Sequence, residues 1–277
     1  MQTKEINKIT IKPVVHLALK EEEIRGYDYF PNLYSNIYVC AKRKSGKSTL
    51  IYNILKHCAG RRTNVVFFCS TIQRDDTYKR ILEMLEKKKI NTVCYDHFIQ
   101  EKENVLNTIL QELNEAMEHA EEEKIAKAEE RSNPKPKIEL FPKEEKVERK
   151  PRKEKQISPE YIFVFDDLGA DLRASCIAQL CKVSRHYKAK VIISSQYLHD
   201  LQSGSIKNID YAIIFKSFNK EKLLTLYEGL DLSINLDTFE KIYQDATAEK
   251  FNFLYIDCRE NLYRRNFNLE YQLTDKD

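Results

Sequence analysis

Residues 36–49 read NIYVCAKRKSGKST. The apolar run at its start predicts a buried strand over 36–40, and the apolar spacing after Ser48 predicts a helix over 48–57. A strand-to-helix loop that ends in Gly-Lys-Ser is typical of a phosphate-binding loop, in which backbone N–H groups and a lysine hold the phosphates. The stretch therefore predicts an α/β fold with a nucleotide bound at the carboxyl end of this strand.

The loop residues have separate expected roles. Lys47 would reach the β- and γ-phosphates and Ser48 would ligate Mg²⁺, while Gly46 lets the backbone approach the phosphates closely. One departure is Ala41, which stands where the phosphate-loop pattern has glycine, so the first turn of the loop has to avoid positive φ. The alternative is a basic Ser/Gly turn without a ligand. The predicted nucleotide-binding residues are Lys44, Ser45, Gly46, Lys47, Ser48 and Thr49.

A second acidic motif follows about 120 residues later. Residues 162–165 are apolar and are followed by Asp166 and Asp167. At the end of a strand, Asp166 can hold Mg²⁺ through water and Asp167 can orient the attacking water. Two adjacent carboxylates repel each other, and a bound cation removes that cost. The alternative is an ordinary turn or helix cap.

Two further polar residues are candidates for catalysis. Gln196 follows an apolar strand over 190–194, and from a strand beside the acidic one it would face the γ-phosphate; otherwise it caps the next helix. Arg185 lies near the end of a helix predicted over 172–187. It either complements the helix dipole or acts as an arginine finger on a neighbouring subunit's nucleotide. Arg173 is the competing candidate for the finger.

The rest of the chain alternates strands with helices, which predicts a mostly parallel sheet covered by helices on both faces. The pattern corresponds to an α/β, RecA/ASCE-type P-loop NTPase closed by a C-terminal strand pair. Further strands are predicted over 64–69, 92–95, 161–165, 211–215, 251–257 and 261–266, and further helices over 75–89, 99–127, 221–227 and 236–243.

The domain plan has three parts. Residues 1–30 are predicted to be an N-terminal extension with an edge strand over 9–12, and 31–277 a single P-loop domain. A charged insert interrupts that domain at about 121–158, since residues 121–155 contain 12 Lys/Arg and 10 Asp/Glu. Such a segment buries too little apolar surface to offset its ordering entropy, so it is expected to be solvated, mobile and helical only at its start.

Composition narrows the setting. No apolar run approaches the ~20 residues of a membrane span, and the first 13 residues have no apolar leader core. The seven cysteines are scattered and are read as free thiols of a reducing compartment. A soluble intracellular protein without membrane contact is therefore expected. The net charge of +3 does not decide whether the partner is a nucleic acid.

Taken together, residues 161–196 resemble the FtsK–HerA superfamily of P-loop motors, and within it the poxvirus-type packaging ATPases of large DNA viruses and virophages. The resemblance rests on Asp166, Asp167, Arg185, His186 and Gln196, and on the run 251–257, which is similar to that group's final strand. It covers about 36–257 without the charged insert. Asp167 departs from the wider superfamily, in which glutamate often stands at this position.

The resemblance implies an ATP hydrolase that uses ATP and Mg²⁺ to move double-stranded DNA into a capsid, without reading its sequence. It also implies a homo-oligomeric ring, hexameric or pentameric, with capsid proteins as further partners. The location would be the host cytoplasm or viral factory, or the virion. Lys47, Ser48 and Asp166 would bind nucleotide and metal, and Asp167, Gln196 and Arg185 would be catalytic. Candidate DNA-facing residues are Lys42, Arg43, Lys44, Lys216, Lys220, Lys222 and the segment 143–155.

Three other functions stay open at this point. A P-loop nucleotide or small-molecule kinase would use basic residues of 143–155 as a lid. A nucleotide-switched regulatory protein such as a GTPase is disfavoured because no NKxD-like string is present. Ala41 also leaves open an inactive P-loop scaffold that binds nucleotide without turnover.

Overall fold

The computed structural model describes residues 19–72, 74–100, 103–132, 156–216 and 219–273. The strands are β1 Asn36–Cys40, β2 Asn64–Cys69, β3 Asn91–Tyr95, β4 Ile99–Gln100, β5 Glu103–Asn104, β6 Tyr161–Asp166, β7 Ala189–Ser195, β8 Tyr211–Phe215, β9 Phe253–Asp257, β10 Leu262–Arg265 and β11 Leu269–Glu270. The helices are α1 Lys47–Cys58, α2 Asp76–Lys87, α3 Val105–Ser132, α4 Ser175–Val183, α5 Ser203–Ile206, α6 Lys220–Gly229 and α7 Leu236–Ala246.

Within the described residues, nine strands form one sheet in the order β11-β10-β9-β8-β1-β7-β6-β2-β3. The strands from β8 to β3 run parallel. From β8 to β11 each strand is antiparallel to its neighbour. The predicted mostly parallel sheet with a C-terminal strand pair is confirmed, and the short β11 is an addition. Strand β7 lies between β1 and β6, so the ends of these three strands meet at one edge.

Helices cover both faces of the sheet, as predicted. The apolar sides of α1 and α2 pack on one face, for example through Ile54 and Ile81. Helices α3, α4, α6 and α7 pack on the other face, through residues such as Leu106, Ile177 and Phe239. Two-sided burial explains why β1, β7 and β8 are buried along their whole length and have no polar alternation.

Most predicted elements differ from the structure by one to three residues at their ends, and three of them differ for a clear structural reason. The helix predicted over 99–127 is preceded by the β4–β5 pair and starts at Val105, because the Asn104 side chain accepts a hydrogen bond from Asn107 N–H and caps it. The helix predicted over 172–187 is shorter: a 3₁₀ turn, Gly169–Arg173, precedes α4, and tight turns end it before Lys188, whose φ is 51°. The strand predicted from Phe251 starts at Phe253.

The N-terminal segment from Leu19 onwards packs on the domain. Ile24 forms a β-bridge with Ile157, and Phe30 is buried against Tyr211 and Tyr255. Helix α3 extends to Ser132, so the start of the charged insert is helical as predicted. The predicted edge strand over 9–12 and positions 133–155 of the insert lie outside the described residues, and the domain bounds stay a prediction.

None of the seven cysteines, all within the described ranges, is in a disulfide, and Cys40, Cys58, Cys69, Cys176 and Cys181 are buried. Burial raises the pKa of the Cys40 and Cys181 thiols to about 12. Across the described part of the chain, the helices lack the combination of length and apolar character needed to cross a membrane.

Candidate nucleotide-binding site

The loop between β1 and α1 has the backbone of an anion-binding turn. Lys44 and Gly46 have φ of 63° and 104°, and Lys47 begins the helix. Positive-φ residues at a helix start turn successive N–H groups toward one point, where an anion binds. The positive φ of Gly46 favours glycine here, and a Cβ on Gly46 would also lie close to Phe251 Cδ1, at 3.3 Å.

The alanine that departs from the phosphate-loop pattern fits without strain. Ala41 N–H donates to Ser195 O at 3.0 Å, which extends the β1–β7 ladder by one residue. Ala41 is buried and does not have a positive φ. Lys44, three residues after Ala41, has the left-handed conformation instead. The loop therefore turns at Lys44 and not at the position where the pattern has its first glycine.

The acidic pair lies opposite this loop. Asp166 is the last residue of β6 and is 1% exposed, with Ser194 of β7 and Cys69 of β2 as its register partners. Its Oδ1 lies 2.7 Å from Lys47 Nζ. Tyr78 OH donates to its Oδ2 at 2.5 Å. Lysine and aspartate therefore meet although 119 residues separate them in the sequence.

Asp167 takes the next position with φ of 56°, and its carbonyl accepts a hydrogen bond from Ser70 Oγ at 2.8 Å. This left-handed residue turns the chain sharply at the end of β6, and the Asp167 side chain lines the same cleft as Lys47. Burial and the nearby Asp166 carboxylate raise the pKa of Tyr78, so its hydroxyl stays protonated and donates to Asp166.

One cleft of about 630 Å³ joins these groups. It contains five of the six predicted binding residues, and the Ser45 hydroxyl instead donates to Lys42 O at 2.7 Å. Residues that sequence reasoning missed also line it, and they follow β2 or precede β9. The lining residues are Lys42, Arg43, Lys44, Gly46, Lys47, Ser48, Thr49, Thr71, Arg74, Asp75, Thr77, Asp166, Asp167 and Phe251.

The cleft's donor set fits a magnesium ion. Ser48 offers a hydroxyl and Asp166 a buried carboxylate, and oxygen ligands are those that Mg²⁺ prefers. Asp166 keeps only side-chain partners, the Lys47 ammonium and the Tyr78 hydroxyl, among the described residues. A metal ion bound to Asp166, or a phosphate bound to Lys47, would therefore replace side-chain contacts and leave the hydrogen bonds of the sheet intact.

Gln196 has the predicted backbone position. It directly follows β7, with the phosphate-loop strand on one side and the acidic strand on the other. It is half-buried and is not among the described residues that line the cleft. Its contact with a γ-phosphate stays a prediction.

The two arginine candidates lie at opposite ends of the parallel strands. Arg185 precedes β7 and its guanidinium lies 3.8 Å from Asp210, which precedes β8. Seven strand residues span about 20 Å, so Arg185 is too far to reach the cleft of its own subunit. Arg173 follows β6 and lines a different cleft, and its guanidinium donates to His199 O at 2.8 and 3.1 Å.

The basic residues predicted to face DNA lie at several separate places. Lys42, Arg43 and Lys44 line the cleft that contains Lys47 and Asp166. Lys216 and Lys220 line a second cleft of about 480 Å³ that also includes Lys42 and Glu240. Lys222 Nζ lies 4.2 Å from the centroid of the Tyr197 ring. The segment 143–155 lies outside the described residues.

No protein-family model and no curated protein matches this chain. Solved structures with a similar fold include B204, the DNA-packaging ATPase from Sulfolobus Turreted Icosahedral Virus, at a TM-score of 0.51 and 16% identity over 87% of this chain and 98% of that one. The genome packaging NTPase B204 from Sulfolobus turreted icosahedral virus 2 in complex with AMP has a TM-score of 0.50 and 15% identity, covering 88% and 100%.

These comparisons establish the fold. The chain has the fold of viral packaging ATPases, the group that its sequence resembles, and the predicted P-loop ATPase architecture is confirmed. EssC (ATPases 2 and 3) from Geobacillus thermodenitrificans is also similar, at a TM-score of 0.48 and 11% identity over 88% of this chain and 41% of that one.

Proposed function

We propose that this chain hydrolyses ATP and uses the energy to translocate double-stranded DNA into a viral capsid. The observation that carries the proposal is the contact of Lys47 with Asp166 at 2.7 Å, in a cleft that Ser48 and Asp167 also line. Phosphoryl transfer is catalysed mainly by positioning and charge, and these are the groups it uses in P-loop enzymes.

The roles follow from the contacts. An incoming triphosphate would compete with Asp166 for Lys47, whose side chain is 18% exposed and lines the cleft. Ser48 and Asp166 would hold Mg²⁺, which would supply positive charge to offset the negative charge of the phosphates. Asp167 would orient a water for attack on the γ-phosphorus; the bond to the β–γ bridging oxygen breaks, and ADP and phosphate leave.

DNA translocation rests on the fold and the resemblance. B204 is a DNA-packaging ATPase, and the chain covers nearly all of that protein's length. A packaging motor contacts phosphates and not base edges, because it has to run on any sequence. Lys216 and Lys220, beside the nucleotide cleft, are the described lysines best placed for this. The motor would be a hexameric or pentameric ring in the host cytoplasm, the viral factory or the virion.

The test is ATP turnover with and without long double-stranded DNA. We expect DNA to stimulate the wild type, and Lys47→Ala and Asp167→Asn to lose nearly all turnover. Matched controls are Lys56→Ala on the exposed side of α1 and Asp171→Asn, an exposed carboxylate four residues after Asp167, and both should behave as wild type.

Three results would count against the proposal. Equal turnover with and without DNA would exclude the motor function, and turnover that depends on a small-molecule acceptor would identify a kinase. An active Lys47→Ala protein would show that the cleft is not the catalytic site.

A further inference from the structure

Phe251 differs from the other phenylalanines around it. Its side chain is 56% exposed and its φ is 71°, in the turn before β9. Phe215 and Phe253 are 2% and 8% exposed and pack on each other at 5.3 Å between centroids. A left-handed backbone at a bulky residue is rare and costs free energy, and such outliers cluster at ligand sites.

The phosphate-loop residue Gly46 is the neighbour of this ring. Phe251 Cδ1 would lie 3.3 Å from a Cβ on Gly46, and the ring lines the nucleotide cleft. Phe251 is thus the aromatic side chain among the described residues that line this cleft. The exposed ring borders the phosphate-binding turn and not the apolar core.

The cleft has a direction that the other contacts define. Lys47 points to Asp166 on β6, and this lysine binds the β- and γ-phosphates in P-loop proteins, so the γ-phosphate belongs on the β6 side. The sheet order places β9 on the other side of β1 from β6, two strands away in each direction. A nucleotide whose γ-phosphate lies toward β6 therefore extends its base toward Phe251.

The ring can accept a base by stacking. Lys250 Nζ lies 4.7 Å from its centroid, and the side chain is still more than half exposed. Every base has a π-face, so stacking on an aromatic ring depends on the area of the base and not on its hydrogen-bonding edge.

We propose that Phe251 is the platform on which the base of the bound nucleotide stacks, and that the site takes purine nucleoside triphosphates with little discrimination between adenine and guanine. The proposal rests on the function proposed above, because it assumes that the cleft binds a nucleoside triphosphate. It assigns a binding role to a residue that the sequence pattern placed in a strand.

The first experiment uses the absence of tryptophan from the chain. Phe251→Trp introduces a single tryptophan, whose fluorescence reports on a stacked base. We expect a non-hydrolysable ATP analogue and its GTP counterpart to quench the emission to similar extents. Inorganic tripolyphosphate, which has the phosphates but no base, should leave the emission unchanged. Equal responses to the analogues and tripolyphosphate, or no response to the analogues, would overturn the proposal.

The second experiment measures affinity in a protein without tryptophan. Phe251→Ala should weaken binding of the ATP analogue about tenfold, as loss of one stacked base does, and leave tripolyphosphate binding unchanged. Alanine has a Cβ as phenylalanine does, so the backbone penalty at φ of 71° is retained. Phe251→Tyr should restore affinity. Leu224→Ala, at an exposed leucine outside the cleft, is the control.

The two proposals fail in different ways. If wild type binds neither the analogue nor tripolyphosphate, the nucleotide function itself is wrong. If wild type binds both and Phe251→Ala binds the analogue as tightly as wild type, only the base platform is wrong. If GTP analogue binding is more than about tenfold weaker than ATP analogue binding, edge recognition and not stacking selects the base.

Discussion

The parallel strands of the central sheet have a buried aspartate at each end, here called the carboxyl edge and the amino edge. The two carboxylates differ in the groups that bind them. Asp166, at the carboxyl edge, is bound by two side chains, Lys47 and Tyr78. Asp210, at the amino edge, accepts a hydrogen bond from Asn36 N–H at 2.8 Å and also contacts the guanidinium groups of Arg185 and Arg259. Asp166 can exchange partners, whereas Asp210 is fixed to the backbone of β1.

The lysines at the two edges show the same contrast. Lys47 is partly exposed and faces a cleft. Lys190 is 1% exposed, and its ammonium donates to Asn32 O and Ser35 Oγ, both at 2.8 Å. Burial lowers the pKa of Lys190 to about 8. The amino edge uses its charges to anchor the N-terminal segment, and the carboxyl edge keeps its charges available to a ligand.

The largest effect is expected on ATP turnover, and it should distinguish Asp166 from Asp210. Asp166→Asn should reduce ATP turnover at least about 100-fold, because the carboxylate that would hold Mg²⁺ becomes a neutral amide. The loss of stability should be small, because the amide oxygen still accepts a hydrogen bond from Tyr78 OH. Asp210→Asn should lower the free energy of unfolding by about 2 kcal/mol, because Asn36 N–H, Arg185 and Arg259 lose a charged hydrogen-bonding partner, and should keep most turnover per folded molecule.

Steady-state ATPase assays and urea unfolding of both variants measure these effects. The comparison would break if Asp210→Asn abolished turnover without destabilising the fold, or if Asp166→Asn remained active.

Arg185 tests whether the amino edge also serves a neighbouring subunit. Its side chain is 56% exposed, and the sheet separates it from its own cleft. As a finger it would act in trans, so Arg185→Ala subunits mixed into wild-type rings should lower turnover below the weighted mean. Arg173→Ala is the matched variant, because Arg173 lies at the carboxyl edge, at the opposite end of the strands. If turnover follows the weighted mean in mixtures with Arg185→Ala subunits but falls below it in mixtures with Arg173→Ala subunits, Arg173 is the arginine finger.

Lys190 predicts a dependence of stability on pH. Its pKa is about 8 in the folded protein and ~10.4 in an unfolded chain, so between these values the unfolded chain binds more protons and stability rises with pH. Relative to Lys190→Met, the free energy of unfolding of the wild type should rise by up to about 1.4 kcal/mol per pH unit in this window. Below the window the difference between the two proteins should not change with pH.

Urea unfolding across that range checks the prediction. Lys56→Met, on the exposed side of α1, is the control and should follow the wild-type curve. A difference between wild type and Lys190→Met that stays constant with pH would contradict the assignment.

The smallest effect is expected at an exposed pair on the amino edge. Lys188 Nζ lies 2.5 Å from Glu160 Oε1, with both side chains more than half exposed. Glu160→Gln should change the free energy of unfolding by less than about 1 kcal/mol, and salt should reduce the difference further. A loss as large as that of Asp210→Asn would mean that burial does not decide the strength of these pairs.

The phosphate loop, the acidic pair and the alternation of strands and helices could be predicted from the sequence. Each is a local pattern: apolar strands buried on both faces, helical spacing, and turn residues at strand ends. The helix predicted over 172–187 was too long because its apolar spacing continues into turns that Lys188 closes with a left-handed residue.

The order of the strands was decided by tertiary structure alone. It places β7 between β1 and β6, brings Lys47 to Asp166 and Tyr78 to the same carboxylate, puts Arg185 at the far edge and Phe251 beside Gly46. These contacts join residues 88 to 205 positions apart, as for Tyr78 with Asp166 and Gly46 with Phe251. Sequence periodicity records which side of an element is buried, but the partner that buries it is chosen by packing across the whole chain.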